Sequence, residues 1–384
     1  MDFGWNAEEL EMKARVQGFL DENWHVSSFD DGTGDEDTEW EETRAYQKQL
    51  AQHGWLTMAW PEEYGGQAAS FMEQMIFAEE SGLVGAPGGQ GLVGPTLMIH
   101  GTEEQKREHL PKIAAAETVW AQGYSEPGSG SDLASLQTRA VRDGDDFVIN
   151  GQKIWTSSAH RADWIHVLTR TDPEAPKHRG ISYFMAPMST PGITVRPLEQ
   201  MHGAHGFNET FFEDVRVPAS NMIGEENRGW YVATTTLDFE RSGVGRAAGV
   251  SQSLNKMLDY AKSDEAVTDL DTAQRHEFAE WHMEADVGRT IGYRVAWMQS
   301  KGLVPNYEAS MSKVFNSEAT QRGARRAINT LGLHGGLLPG SPHAVMGGSF
   351  GQLYMSSVSR TIAAGSSEIQ RNVIATRGLG LPRG

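Results

Sequence analysis

The spacing of hydrophobic residues changes twice along the 384-residue chain, and this order constrains the fold most strongly. From residue 1 to about 118, apolar residues recur every three or four positions, as in AEELEMKARVQGFLDENW, which predicts helices. From about 119 to 228, short alternating segments such as ISYFMAPM and ETFFEDVRVP predict strands separated by turns. From 229 to 384 the helical spacing returns in long segments. The predicted fold is α+β: an N-terminal helical domain (1–118), a small central β-barrel domain (119–228) and a C-terminal four-helix bundle (229–384).

The composition excludes several classes of protein. A formal net charge of −18 argues against a nucleic-acid-binding protein, which needs a basic surface. No apolar run is long enough to span a bilayer, and the N-terminal sequence resembles neither a secretory signal nor a transit peptide. The absence of cysteine excludes thiolate metal ligands and cysteine nucleophiles, and no metal site is expected. We therefore expect a cytoplasmic protein, with DDGTGDEDTEWEE (Asp30–Glu42) as a solvated acidic linker.

Five segments carry a resemblance to a known family. A Gly/Ser-rich loop alone indicates a plain surface turn more than a ligand site, but here the segments follow one another along nearly the whole chain. They are QGYSEPGSGSD (Gln122–Asp132), NGQKIWTSS (Asn150–Ser158), HGFNETFFEDVRVP (His205–Pro218), IGEENRGW (Ile223–Trp230) and GSSEIQRN (Gly365–Asn372). In this order and spacing they resemble the acyl-CoA dehydrogenase flavoproteins.

The resemblance implies that the chain binds FAD between its β domain and its bundle, and oxidises an acyl-CoA to a trans-2-enoyl-CoA. It implies cofactor contacts at ten residues: Gln122, Tyr124, Ser125, Ser131, Trp155, Ser157, Asn329, Ser366, Ser367 and Glu368. It implies substrate contacts at five: Ser131, Asp238, Phe239, Arg241 and Gly365. Without the resemblance, the alternative for Trp155 is a buried strand aromatic.

The family's usual catalytic base is missing. A glutamate usually precedes the glycine of the last segment, but Ala364 stands there in TIAAGSSEIQRN. A minority of the family carries the base on another helix, in a pattern similar to LDFER, which places Glu240 as the base. Glu240 also lies on the apolar face of its predicted helix, where a carboxylate must be paired or used in catalysis. The alternative is a structural salt bridge. The main-chain N–H of Ala364 keeps the family's role of polarising the thioester carbonyl.

The sequence differs from homotetrameric family members at two places that contact the FAD pyrophosphate in those members. Homotetrameric members carry an arginine after the first bundle helix that reaches the FAD of a neighbouring subunit, but here the region reads YAKSDEAVTDLD (Tyr260–Asp271). Asn329 stands where those members have a glutamine. Either a homologous partner subunit supplies the arginine, as in heterotetrameric steroid side-chain dehydrogenases, or the chain pairs with itself and binds FAD weakly or through another basic residue.

Three other functions remain open. An acyl-CoA oxidase would share these segments but let oxygen reach the reduced flavin. A flavoenzyme acting on nitroalkanes would more often have an aspartate as base. A non-catalytic structural subunit would fit the missing arginine. An electron-transferring flavoprotein is the acceptor that the resemblance implies, and the acyl group could be branched, long or steroid-derived.

Overall fold

The computed structural model describes residues 4–25, 35–88, 93–239, 244–266 and 269–382, with the main chain only at 236–239 and 244. The chain divides into two compact units. The helical unit comprises Met1–Gln49, Ala68–Gly88 and Arg241–Gly384, and the sheet unit comprises Leu50–Gln67 and Gly89–Glu240. The predicted order of helices, strands and helices is confirmed.

The sheet unit is built on a mixed sheet of seven strands in the described part of the chain. The strands are β1 (Trp120–Gly123), β2 (Arg139–Asp143), β3 (Asp146–Ser157), β4 (Trp164–Arg170), β5 (Ile181–Pro187), β6 (Ile193–Leu198) and β7 (Phe207–Pro218). Their order is β1-β4-β2-β3-β7-β6, with β5 antiparallel to β4. The long strands β3 and β7 pair antiparallel, from Asp146 opposite Pro218 to Ser157 opposite Phe207.

Two apolar clusters hold this unit together. One lies within the sheet and includes Phe147, Ile149 and Phe212. The other joins the sheet to helices α4 (Val93–His100), α5 (Glu103–Ala114) and α6 (Gly229–Phe239). At the start of α6, a Cβ on Gly229 would lie 2.5 Å from the carbonyl carbon of Ser182 in β5, so only glycine allows this approach.

The helical unit contains longer helices with a separate core. Its helices are α1 (Ala7–Asn23), α2 (Glu36–Gln52, whose last residues enter the other unit), α3 (Phe71–Leu83), α7 (Val244–Lys262), α8 (Thr272–Ser300), α9 (Tyr307–Leu331), α10 (Ser349–Arg360) and α11 (Ser367–Val373). Trp281 of α8 is 1% exposed, and a Cβ on Gly323 of α9 would lie 2.6 Å from its ring. The two helices therefore pack closely around one large aromatic side chain.

The predicted acidic linker is wrong in its second half, because α2 begins at Glu36. Acidic residues are favourable at that end of a helix, where Glu36, Asp37 and Glu39 meet the partial positive charge of unpaired N–H groups. Oδ1 of Asp35 also accepts from the N–H of Thr38 at 2.9 Å.

Among the described residues, no helix is both long enough and apolar enough to cross a membrane. Within the same part of the chain, no group of three or more His, Cys, Asp or Glu side chains could hold a metal ion.

Candidate active site

The segment after strand β1 carries the first expected cofactor contacts. The carbonyl of Ser125 accepts a hydrogen bond from the N–H of Ile154 at 2.9 Å, which ties the segment to β3. Ser125 is half-buried, and neither its N–H nor its hydroxyl has an acceptor among the described residues. These two donors are therefore available to a ligand that has acceptor atoms along one edge.

Trp155 presents a large aromatic face from an irregular part of β3. The register against β7 shifts between Lys153 and Thr156, and Trp155 takes a left-handed φ of +60° there. The irregularity leaves Lys153 and Thr156 buried while Trp155 and Ser157 are exposed. Trp155 is 57% exposed, and its ring meets that of Phe207 edge-on at 6.1 Å between centroids. The reading of Trp155 as a buried strand aromatic is therefore wrong.

A buried chain of hydroxyl and imidazole groups lies on the inner side of the Tyr124 segment. The hydroxyl of Tyr124 donates to that of Tyr183 at 3.1 Å, and the Tyr183 hydroxyl lies 2.6 Å from Nδ1 of His166. Burial lowers the pKa of His166 to about 3, so its neutral ring accepts from Tyr183. The phenol of Tyr124 is thus engaged inside the sheet unit.

Lys153 and Glu126 form a buried ion pair beside this segment. The ammonium of Lys153 donates to Oε1 of Glu126 at 2.8 Å and to the carbonyl of Tyr124 at 3.2 Å. Burial lowers the pKa of Lys153 to about 8, although the Glu126 carboxylate opposes the change. Burial alone would raise the pKa of Glu126, but the Lys153 ammonium and hydrogen bonds from Gln137 and Thr138 hold it below its usual value. Both side chains are therefore charged at neutral pH.

Neither this pair nor His166 is among the residues predicted from the sequence. The sequence does contain a sign that Lys153 is buried, because it lies on the same alternating face of β3 as the buried residues Phe147 and Ile149. A lysine at an inward position needs a buried partner. The identity of that partner depends on tertiary contacts that the local pattern does not contain.

The turn after α10 holds Ala364 with its main-chain N–H unpaired. Ala364 is exposed and takes a φ of +53°, which is unusual for an alanine. Its N–H has no acceptor among the described residues, and its carbonyl accepts from Nε2 of Gln370 at 3.4 Å. Such an N–H can donate to a carbonyl oxygen that gains negative charge during a reaction.

Side chains of α9 fix the start of this turn. Lys313 is 6% exposed, and its ammonium donates to the carbonyl of Arg360 at 3.1 Å. Nε2 of Gln321 donates to the carbonyl of Ser357 and to the hydroxyl of Thr361, each at 3.1 Å. The bonds to Arg360 and Ser357 satisfy carbonyls at the end of α10 that have no partner within the helix.

Three predicted cofactor residues lie at the start of α11. The Ser366 hydroxyl caps the helix by accepting from the N–H of Ile369 at 3.4 Å. The Ser367 hydroxyl is buried and has no hydrogen-bond partner among the described residues, which is uncommon for a polar atom. Glu368 is exposed, and its own main-chain N–H and the Ser366 hydroxyl hold its carboxyl pKa below the usual value. Asn329 is exposed on the last turns of α9.

The other predicted residues are described in part. Gln122 is half-buried in β1, Ser131 is exposed in the following turn, and Gly365 takes a φ of +83°. Four predicted residues fall where no side chain is described: Asp238, Phe239, Glu240 and Arg241. The last two lie wholly outside the described residues, directly after the end of α6.

Family models match nearly the whole chain. The N-terminal, middle and C-terminal domains of the acyl-CoA dehydrogenases match residues 6–117, 121–215 and 227–379. The chain belongs to the acyl-CoA dehydrogenase family. It is accordingly an oxidoreductase of the type that acts on acyl-CoA.

Individual relatives agree with this assignment. The acyl-CoA dehydrogenase FadE26 of Mycobacterium tuberculosis is 40% identical over 348 residues, which cover 87% of each chain. The acyl-CoA dehydrogenase IpdE1 of the same organism is 37% identical over 97% of this chain and 98% of its own. Two solved structures match over the full length of both chains. One is described as the Tcur3481-Tcur3483 steroid ACAD, with 36% identity and a TM-score of 0.88. The other is the ChsE4-ChsE5 complex from Mycobacterium tuberculosis, with 35% identity and a TM-score of 0.87.

The residues present fit the FAD that members of this family generally use. The donors of Ser125 suit the acceptor-rich edge of a flavin ring, and the exposed face of Trp155 suits its flat surface. The buried, unpartnered hydroxyl of Ser367 is a further polar group without a protein partner among the described residues. The Ser125 donors and the Trp155 face are therefore groups of the kind that a flavin ring contacts.

Proposed function

We propose that this protein catalyses the FAD-dependent α,β-dehydrogenation of an acyl-CoA thioester to a trans-2-enoyl-CoA. The unpaired N–H of Ala364 carries the proposal, because this residue lacks the family's acidic side chain but keeps a donor for the thioester carbonyl. When bound, FAD supplies the acceptor for the hydride that leaves the β carbon. The Ser125 donors and the Trp155 face support binding of its ring.

Glu240 is the base that removes the α-proton. That proton is weakly acidic, so its removal needs a carboxylate of raised pKa in a site with little water. Ala364 has no such group, and the LDFER pattern puts Glu240 immediately after α6. As the α-proton passes to the Glu240 carboxylate, the N–H of Ala364 stabilises the negative charge that develops on the thioester oxygen.

The Glu240→Gln variant tests this assignment. We expect anaerobic bleaching of the bound flavin by substrate to slow by a factor of about 10²–10⁴, while flavin content and thermal stability stay unchanged. Asp259→Asn, an exposed acid near the end of α7, is the matched control and should bleach at the wild-type rate. Fast bleaching in Glu240→Gln would rule out Glu240 as the base. Hydrogen peroxide formed in step with turnover would identify an oxidase instead.

A homologous partner subunit completes the FAD site in this proposal. Asp264 and Glu265 are exposed after α7, in the region where homotetrameric members carry the pyrophosphate-binding arginine. Carboxylates near a pyrophosphate oppose its binding. Similarity to a structure described as the ChsE4-ChsE5 complex supports a heteromer. The proposed electron acceptor is an electron-transferring flavoprotein, as the family resemblance implies.

The same acids favour a second candidate, a non-catalytic subunit that needs a partner for all chemistry. Flavin absorbance per protomer separates the alternatives. The heteromer predicts a largely colourless chain alone and a yellow, active protein after co-expression with a homologous subunit. Activity that then survives Glu240→Gln would favour the non-catalytic role, and full flavin occupancy of the chain alone would contradict the heteromer.

The acyl group in this proposal is bulky. Ala364, which carries the proposed thioester donor, and its neighbour Ala363 are small residues and leave room for a branched, long or polycyclic acyl chain. Similarity to a protein described as a steroid ACAD supports the polycyclic choice. We expect a higher kcat/KM for a steroid side-chain thioester than for butyryl-CoA, and the reverse ranking would contradict this part of the proposal.

A further inference from the structure

Three consecutive residues of the sheet unit, Tyr124, Ser125 and Glu126, are bonded to strand β3 through their acceptor atoms. The carbonyl of Tyr124 accepts from the Lys153 ammonium at 3.2 Å, and the carbonyl of Ser125 accepts from the N–H of Ile154 at 2.9 Å. The carboxylate of Glu126 accepts from the same ammonium at 2.8 Å. These three bonds to strand β3 use a carbonyl or a carboxylate as acceptor, and the N–H and hydroxyl donors of Ser125 stay unpaired among the described residues.

Lys153 reaches this position through a space that the sequence leaves open. Its side chain is fully buried. A Cβ on Gly123, at the end of β1, would lie 3.4 Å from Cγ of Lys153 and closer still to Ile165 and Val167, at 3.1 and 3.2 Å. A larger residue at 123 would therefore press on both the lysine stem and the sheet core.

Glu126 connects the same segment to strand β2. Its Oε2 accepts from the N–H of Gln137 at 2.6 Å, and its Oε1 accepts from the N–H of Thr138 at 2.9 Å. Its main chain also exchanges two hydrogen bonds with Ser129 and so closes a tight turn. The carboxylate thus holds both ends of the loop that runs from Glu126 to Thr138.

We propose that Lys153 and Glu126 are positioning residues that turn the acceptors of Tyr124–Glu126 inward, so that the donors of Ser125 face the acceptor-rich edge of the flavin. This inference rests on the proposed use of FAD. The pair touches neither cofactor nor substrate and acts through the main chain of Ser125. Trp155 lies two residues beyond Lys153 on strand β3. The Lys153–Glu126 pair therefore orders the polar flavin contact at Ser125 close to the aromatic flavin contact at Trp155.

A purely stabilising role predicts a different outcome from a positioning role. A buried ion pair replaced by neutral groups often leaves stability nearly unchanged, because the cost of desolvating the charges is also removed. The hydrogen bond from Lys153 to the Tyr124 carbonyl would still be lost. A neutral replacement of both residues therefore separates folding from positioning.

The test uses the full chain and three variants. Lys153→Met removes the ammonium, and Lys153→Met/Glu126→Gln also removes the charge that would be left buried and unpaired. Val217→Ala is the matched control, because it disturbs the buried end of β7 opposite Phe147, at the other end of the β3–β7 pair from Trp155. Amide hydrogen exchange without added flavin compares residues 122–132 with strand β7, and titration with FAD gives the Kd and the visible spectrum.

The double variant tests the positioning role of Lys153 and Glu126 even if Lys153→Met fails to fold. We expect exchange in 122–132 to rise about tenfold, with β7 protected as in the wild type. We also expect a Kd for FAD weakened about tenfold, and bound-flavin bands shifted toward those of FAD in water. Exchange, Kd and spectrum all equal to those of Val217→Ala would overturn the inference. Wild-type protein that binds no FAD, alone or with its partner, would overturn the proposed function and FAD as the ligand of Ser125. The hydrogen-exchange result does not depend on FAD and reports whether Lys153 and Glu126 anchor the 122–132 segment.

Discussion

The segments around Ser125 and Ala364 both offer a main-chain donor that is unpaired among the described residues, but they are held in different ways. In the sheet unit, Ser125 is flanked by residues tied to the fully buried Lys153. In the helical unit, Ala364 is exposed, and the contact from Gln370 to its carbonyl is long, at 3.4 Å. Tertiary charge pairing fixes the first donor, whereas the local left-handed backbone conformation fixes the second.

Because the two segments are held differently, substitutions in them should have different effects on folding stability. Substitutions around Ser125 disturb buried charges and so affect folding as well as ligand binding. Substitutions at Ala364 change a local conformation at the surface, so their effect on folding should be small. The predictions below test this contrast, beginning with the largest expected effect.

Substitutions of the buried pair Lys153 and Glu126, compared in a double-mutant cycle, should give the largest loss of folding stability. Lys153→Met leaves Glu126 charged and unpaired, and we expect the free energy of unfolding to fall by about 3–5 kcal/mol. Lys153→Met/Glu126→Gln should lose much less, because both desolvation costs disappear together. Urea unfolding followed by tryptophan fluorescence measures both values. Losses in Lys153→Met and in the single variant Glu126→Gln that simply add in the double variant would show that the two side chains are not coupled.

Acid should destabilise the sheet unit through His166. Its pKa is about 3 in the folded chain, below the unfolded value near 6.5, so the unfolded chain binds one more proton between these values. The stabilisation by neutral His166 is therefore complete above about pH 6.5 and is lost as the pH falls toward 3. From pH 7 to pH 5 this group should cost about 2 kcal/mol.

The matched variants for His166 are glutamine substitutions. His166→Gln keeps an acceptor for the Tyr183 hydroxyl but does not titrate, so the loss of unfolding free energy between pH 7 and pH 5 should shrink. His276→Gln changes an exposed histidine on α8 and should leave that loss as it is in the wild type. Equal acid sensitivity in all three proteins would contradict the assignment to His166.

The order of helices and strands could be predicted because it depends on local spacing of apolar residues. The resemblance identified the segments that contain Ser125 and Ala364, and the family is confirmed. The start of α2 was not predicted, because the acids that suggest a solvated loop also suit the first turn of a helix.

Other features could not be predicted because they depend on the folded chain. The partners of Lys153 lie 27 and 29 positions away and are set by the pairing of strands. The positive φ values of Trp155 and Ala364 occur at residues whose type does not favour that conformation. The assignments of Glu240 and of the cofactor contacts remain predictions.

Ala364→Gly should stabilise the protein modestly. Glycine adopts a φ of +53° without the steric cost that an alanine bears, so we expect the free energy of unfolding to rise by about 1 kcal/mol. The N–H that polarises the thioester is retained, and flavin bleaching by substrate should continue. Ala363→Gly is the matched control. Its φ is not in the left-handed region, so the same change should instead lower stability. Stabilisation in both variants would mean that backbone strain at Ala364 is not the cause.

The smallest expected effect comes from a second lysine–carboxylate pair in the same part of the sheet unit. Lys177 lies 2.8 Å from Asp132 at the end of the 122–132 segment, but their side chains are 52% and 59% exposed. Solvent screens such a pair, so Lys177→Met should change the free energy of unfolding by less than about 1 kcal/mol, and less still at high salt. Hydrogen exchange across residues 122–132 should stay as in the wild type. A rise equal to that in Lys153→Met/Glu126→Gln would mean that any disturbance of the segment frees Ser125, and that burial of Lys153 is not what fixes the donor.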